Sequence, residues 1–107
     1  MTNKNIVSIF EEQVKKFPFS IAIIEGNASI SYRELNKSVN RLAHYLISRG
    51  VQTETIICLS AERSIDFIIG ALAILKSGAS YCPIDPNYPL ERINLIIEDT
   101  HTPMVLC

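Results

Sequence analysis

A helix followed by a strand can be recognised in the middle of the chain, where residues 64–84 have the sequence SIDFIIGALAILKSGASYCPI. Ser64 can cap a helix that runs to about Ser77, and Gly78 can close it. Apolar side chains surround this helix almost completely, so it must be buried against more than one layer. Ala79–Ile84 then has the pattern of a strand, and the prolines that follow end it.

The region before this unit predicts another strand and a well-defined helix. The apolar run Ile56–Leu59 lacks polar alternation, which is typical of a strand covered on both faces. Upstream, Ser31 and Glu34 have the spacing of a capping box, in which each side chain bonds the other residue's backbone amide. A helix is therefore predicted to begin at Ser31 and to end at Gly50, a residue that tolerates the left-handed closing conformation.

Both ends of the chain extend this pattern. Ile6–Phe17 has apolar residues at helical spacing, and a hairpin follows with its turn at Gly26. A final helix is marked by apolar residues between Leu90 and Ile97, and a last strand is predicted around Met104–Leu106.

The order of elements predicts the fold class. After the hairpin the chain alternates helix, strand, helix, strand, helix, strand, which favours a mainly parallel sheet with right-handed crossovers. We therefore expect an α/β fold, a three-layer sandwich with helices on the faces of the sheet and a short N-terminal β-hairpin. Residues 1–107 are expected to form a single partial domain. The edge of the last strand is expected to be open to a partner, or to self-association.

Composition argues against several classes of partner. The chain has 10 basic and 11 acidic residues, so it creates no strong field for nucleic acid or for an anionic membrane. Its longest apolar stretch, Phe67–Leu75, is far shorter than the roughly 20 residues of a membrane span. The N-terminus lacks the pattern of a secretory signal, so we expect a cytoplasmic protein.

The three cysteines do not have the close spacing of a disulfide framework or a zinc site. Cys58, Cys82 and Cys107 are about 25 residues apart in apolar surroundings. We interpret them as core or edge thiols, because no neighbouring histidine or basic cluster favours a reactive thiolate.

Four charged residues have both a functional and a structural interpretation. Asp85 follows a strand, where open α/β sheets bind ligands, but an aspartate before a proline more often stabilises a turn. Lys76 is predicted at a helix carboxyl end, where a cation interacts favourably with the helix dipole. Glu62 and Arg63 also follow a strand and could form a site, although a solvated ion pair is the simpler interpretation.

No phosphate-binding motif accompanies these residues. Gly70 and the other three glycines are isolated, whereas phosphate loops need closely spaced glycines. Close helix packing is the expected role of Gly70. His44 and His101 have no neighbouring carboxylate or cysteine in the sequence, so we interpret them as surface or boundary residues.

Two blocks of sequence resemble core motifs of one enzyme family. SISYRELN at residues 29–36 resembles the first core motif of the amino-acid adenylation domains of nonribosomal peptide synthetases. LKSGASYCPIDPNYPLERI at residues 75–93 resembles the second core motif and its continuation, and ERS at residues 62–64 also fits. Ser77 and Cys82 are mild departures, at positions where small aliphatic residues are common.

The resemblance implies a function for the complete domain. Such enzymes use ATP and Mg²⁺ to convert an amino acid into an aminoacyl adenylate, release pyrophosphate, and load a carrier protein. In the family, the residues that bind ATP and stabilise the transition state lie downstream of the region that this chain resembles. The resemblance therefore assigns no catalytic, cofactor-binding or metal-binding residue here, and the chain alone is expected to be inactive and to bind no cofactor.

Two hypotheses follow for the role of the chain. In the first, it is the leading part of an adenylating enzyme and acts with the remainder of that domain. In the second, it is a non-catalytic interaction or regulatory module derived from such a domain, which binds a partner through its exposed edge. The sequence does not identify the amino acid that would be activated.

Overall fold

The computed structural model describes residues 5–60 and 64–106. Four helices and five strands follow one another as α1 (Ile6–Lys16), β1 (Ile21–Glu25), β2 (Ala28–Ser31), α2 (Tyr32–Ser48), β3 (Ile56–Ser60), α3 (Ile65–Lys76), β4 (Ser80–Ile84), α4 (Leu90–Thr100) and β5 (Val105–Leu106). The predicted elements occur in the predicted order, and their bounds differ from the sequence-based ones by one or two residues at several ends.

The capping box at the start of α2 is confirmed. The amide of Glu34 donates to Ser31 Oγ at 3.2 Å, and the amide of Ser31 donates to Glu34 Oε1 at 3.4 Å. At the other end of the helix, Gly50 has φ of 88°, in the left-handed region that glycine adopts without a steric penalty. Local sequence therefore sets both ends of this helix.

The sheets have the predicted topology. β1 and β2 form an antiparallel hairpin, while β3 lies between β4 and β5 in a parallel sheet. Leu59 points towards α3, because its side chain is the nearest neighbour of Gly70. The adjacent Cys58 points the other way, since its Sγ lies 3.4 Å from Thr100 Oγ1 of α4. Helices thus cover both faces of the sheet, which confirms the three-layer α/β sandwich.

The core lies mainly on the α3 side of the sheet. Buried apolar residues from α1, α2, β3 and α3 form one cluster, which includes Phe10, Leu46, Ile57 and Ile74. α3 contacts β3, β4, α1 and α2, as its continuous apolar surface predicts. By contrast, α4 has no buried residue.

The predicted role of Gly70 in close helix packing is confirmed, and the structure shows which layer the helix packs against. A Cβ at this position would lie 2.9 Å from Leu59 Cδ1, so the close approach is between α3 and the central strand rather than between two helices. Periodicity places Gly70 in a helix but does not show which layer faces it.

None of the helices within residues 5–60 and 64–106 combines the length and the apolar composition that a membrane span requires.

Candidate functional site

An open groove of about 980 Å³ lies where β4 ends and α3 begins. It is the position at which ligands bind to open α/β sheets. The hairpin, the first turns of α3 and the loop after β4 line it, through Ile23, Ile24, Glu25, Ser64, Ile65, Phe67, Ile68, Tyr81, Pro83, Ile84, Asp85, Pro86, Asn87 and Tyr88. Most of these side chains are apolar or aromatic, so the groove is suited to an apolar surface rather than to a highly charged group.

Aromatic contacts stabilise the walls of the groove. Phe67 of α3 and Tyr81 of β4 meet edge to face, with ring centroids 6.1 Å apart and an interplanar angle of 88°. Beyond the strand, the Arg92 guanidinium carbon lies 4.0 Å from the centroid of the Tyr88 ring, within the range of a cation–π contact. The Arg92–Tyr88 contact therefore joins the first turn of α4 to the loop that precedes it.

The protein's own oxygen atoms bond the amides at the start of α3. Ser64 Oγ accepts from the Phe67 amide at 3.4 Å, and Glu25 Oε2 accepts from the Ile65 amide at 3.4 Å. The hairpin carboxylate thus lies where an anion would be favoured by the helix dipole. No local sequence pattern indicates this contact, because the two residues are 40 positions apart.

Asp85 lies at the rim of the groove and stabilises the turn after β4, as predicted. Its Oδ1 accepts from the Asn87 amide at 2.9 Å, and its carbonyl accepts from the Tyr88 amide at 3.0 Å. The side chain is exposed.

Lys76 is the last residue of α3, as predicted, but its interactions are more specific than a helix-end effect. Its Nζ lies 2.6 Å from Glu11 Oε2 of α1 and also donates to Asn40 Oδ1 of α2. The lysine therefore joins three helices through partners that are 65 and 36 positions away in sequence.

The histidines lie apart from the groove. His44 is exposed on α2, and His101 ends α4 with φ of 53°. His101 lines a smaller cleft of about 420 Å³ next to residues 52 and 54–56, at the opposite end of β3. The proposed pair of Glu62 and Arg63 lies outside the described residues.

Two cysteines are neighbours in the sheet. Cys58 of β3 is fully buried and Cys82 of β4 is half-buried, and the two are register partners. Burial raises the pKa of the Cys82 thiol above its ordinary value, and the neighbouring Cys58 raises it further. These positions agree with the interpretation as core or edge thiols, while Cys107 lies outside the described residues.

Metal-ligating side chains are not clustered in the described part of the chain. Within residues 5–60 and 64–106, no group of three or more histidine, cysteine, aspartate or glutamate side chains could hold a metal ion. The two carboxylates of the groove, Glu25 and Asp85, already accept backbone hydrogen bonds.

The chain matches the AMP-binding enzyme family over residues 10–107. It belongs to this family. Among curated AMP-binding relatives, it is 45% identical over 104 residues to bacitracin synthase 3 of Bacillus licheniformis, a match that covers 97% of this chain and 2% of that protein. It is 46% identical over 103 residues to tyrocidine synthase 1 of Brevibacillus parabrevis, covering 96% of this chain and 10% of that protein. The chain thus spans a tenth or less of these relatives' length.

Solved AMP-binding structures share the fold. NpsA of Klebsiella oxytoca in complex with 3-hydroxyanthranilyl-AMSN superimposes with a TM-score of 0.88 at 29% identity, covering 97% of this chain and 21% of that one. The N-terminal subdomain of NpsA alone gives a TM-score of 0.86 at 29% identity, covering 95% and 27%. The chain therefore corresponds to the N-terminal part of a peptide synthetase adenylation domain, which confirms the resemblance seen in its two motifs.

The two motifs that resemble the family's core motifs lie on scaffold elements. The first forms the end of the hairpin and the capped start of α2, and the second runs from the end of α3 through β4 into α4. Their residues end helices, form a strand and close a turn.

Proposed function

We propose that this chain is the leading scaffold of an amino-acid adenylation domain, forming one folding unit that acts together with the remainder of such a domain. The assembled domain would use ATP and Mg²⁺ to activate an amino acid as its adenylate, and would transfer it to a carrier protein in the cytoplasm. The observation that carries the proposal is the 45% identity to a peptide synthetase across 97% of the chain. An artificially fused adenylation–PCP di-domain of NpsA, which covers 95% of this chain, supports a carrier protein as the partner.

The exposed apolar surface supports assembly with further protein. Leu90 and Leu95 on α4 are 72% and 59% exposed, and Val105 of the edge strand β5 is 37% exposed. Faces of parallel sheets are normally covered, and an open strand edge attracts a partner. We assign this surface, the α4–β5 surface defined by these three residues, to contact with the remainder of the domain.

Complementation tests the proposal. The chain is mixed with the remainder of an adenylation domain from a relative, and amino-acid-dependent exchange of pyrophosphate into ATP is measured across a panel of amino acids. We expect exchange in the mixture and none from either part alone, because the chain supplies packing and the remainder supplies the reacting groups. Exchange by the isolated chain would contradict the expectation that the chain alone is inactive.

A matched pair of substitutions tests the contact surface. Leu95→Asp places a charge in the α4–β5 surface, whereas Asn94→Asp places the same charge on the adjacent exposed residue. Leu95→Asp should leave the chain folded but reduce pyrophosphate exchange at least tenfold when the chain is mixed with the remainder at limiting concentrations. Asn94→Asp should leave this exchange close to the level of the unsubstituted chain. A stable complex that shows no exchange with any amino acid would instead favour the interaction module.

A further inference from the structure

Two thiols lie side by side in the centre of the parallel sheet. Cys58 and Cys82 are directly paired in the register of β3 and β4. Register partners on neighbouring strands point to the same face, and such strands are about 4.8 Å apart. That spacing falls within the roughly 4.4–6.8 Å that separates the Cα atoms of disulfide-bonded cysteines. The two thiols are therefore near enough to be joined without any change in the strand order.

The two thiols differ in exposure. They lie on the face that α4 covers, where Thr100 Oγ1 is 3.4 Å from Cys58 Sγ. No residue of α4 is buried, and Cys82 itself is half-buried. Cys82 is therefore the thiol that an oxidant in solvent meets first, whereas Cys58 is fully buried.

We propose that Cys58 and Cys82 form a reversible disulfide across β3 and β4 when the protein meets a hydroperoxide. The Cys82 thiolate attacks the O–O bond, forming a sulfenic acid and releasing hydroxide. Cys58 then attacks the Cys82 sulfur, so that the S–S bond forms and the sulfenic hydroxyl leaves as water. In total, two thiols and one hydrogen peroxide give one disulfide and two waters, and the sulfur atoms lose the two electrons that the peroxide gains.

The ionisation state of Cys82 sets the rate of the first step, because the thiolate is the nucleophile. The raised pKa of Cys82 keeps most of the thiol protonated at neutral pH, so its reaction with peroxide is slow. The pair is thus suited to sustained oxidative exposure rather than to rapid signalling.

The test exposes the whole purified chain to hydrogen peroxide and maps the products by mass spectrometry after blocking the remaining thiols. We expect a loss of two hydrogen atoms per chain and a linked peptide pair containing Cys58 and Cys82. A monothiol reductant should restore both thiols. In the Cys82→Ser variant the linked pair cannot form, whereas Cys107→Ser serves as the matched control and should give the same linked pair as the original chain.

Three outcomes would overturn the proposal. They are recovery of both thiols unmodified after prolonged exposure, oxidation of Cys82 to sulfinic acid without any linked pair, and a linkage that involves Cys107. Because the peptides of the unsubstituted chain decide among these results, the test does not depend on whether a variant folds.

Discussion

Adding one methyl group at Gly70 tests the closest contact between α3 and the central strand. A Cβ there would lie 2.9 Å from Leu59 Cδ1 and 3.4 Å from Cδ2, and Leu59 is only 3% exposed. Alanine gains about 1 kcal/mol of helix propensity over glycine, while overpacking a core costs about 1–3 kcal/mol. Gly70→Ala should therefore lower the free energy of unfolding by about 1 kcal/mol, although alanine is the better helix former.

The sign should reverse when Leu59 is shortened. Leu59→Val removes both Cδ atoms and leaves side-chain atoms near the position of Cγ, which is 3.7 Å from the added Cβ. In that background Gly70→Ala should raise the free energy of unfolding by about 1 kcal/mol, because the methyl group fills vacated space. The coupling energy is then about 2 kcal/mol, within the range for residues in contact.

The free energy of unfolding is measured by urea denaturation, followed by circular dichroism, for the unsubstituted chain, the two single variants and the double variant. Equal m-values would show that their unfolded states are comparable. The reasoning is refuted if Gly70→Ala has the same effect in both backgrounds, since the contact would then contribute no coupling.

Three further substitutions or conditions test separate interactions. Ser31→Ala should lower the free energy of unfolding by about 1 kcal/mol through loss of the cap on α2, and Ser31→Asn, which keeps a capping side chain, should restore most of it. Lys76→Met should lower the free energy of unfolding by about 1 kcal/mol in low salt and by less in high salt, because the ion pair with Glu11 is partly exposed and salt screens it. The rate of Cys82 alkylation, measured from the mass of the alkylated peptide, should reach half of its maximum at a higher pH in the native chain than in urea. Coincident pH profiles would contradict the raised pKa of the Cys82 thiol.

Local patterns predict the ends of the elements better than the contacts between them. The capping box of Ser31 and Glu34 is a four-residue signal whose bonds form within the helix, so the sequence alone predicts it. Gly78, predicted to close α3, likewise has φ of 94°. Alternation of helices and strands predicts the three layers because a parallel sheet needs crossovers on its faces.

Contacts that join distant elements carry no local signal. Lys76 is predicted at a helix end, but its bond to Glu11 depends on how α1 packs across α3, which hydrophobic spacing does not define. The pairing of Cys58 with Cys82 similarly depends on strand register, and a shift of one residue would place the two thiols on opposite faces. The position of Asp85 after a strand indicates one wall of the groove, whereas the other walls come from the hairpin and α3, which no local pattern brings together.

The two faces of the sheet are covered unequally, and this difference connects the fold to the proposed function. Buried residues of three helices form the core on the α3 side, whereas α4 has no buried residue and leaves Leu90 and Leu95 largely exposed. Burying one leucine side chain contributes about 1.5–3 kcal/mol, so covering both offers several kcal/mol to an association. A partner that binds only the folded chain also raises its stability. The remainder of an adenylation domain should therefore shift urea unfolding of the chain to higher concentrations, and Leu95→Asp should abolish that shift while Asn94→Asp preserves it. If the shift survives Leu95→Asp, the remainder must contact a surface other than α4.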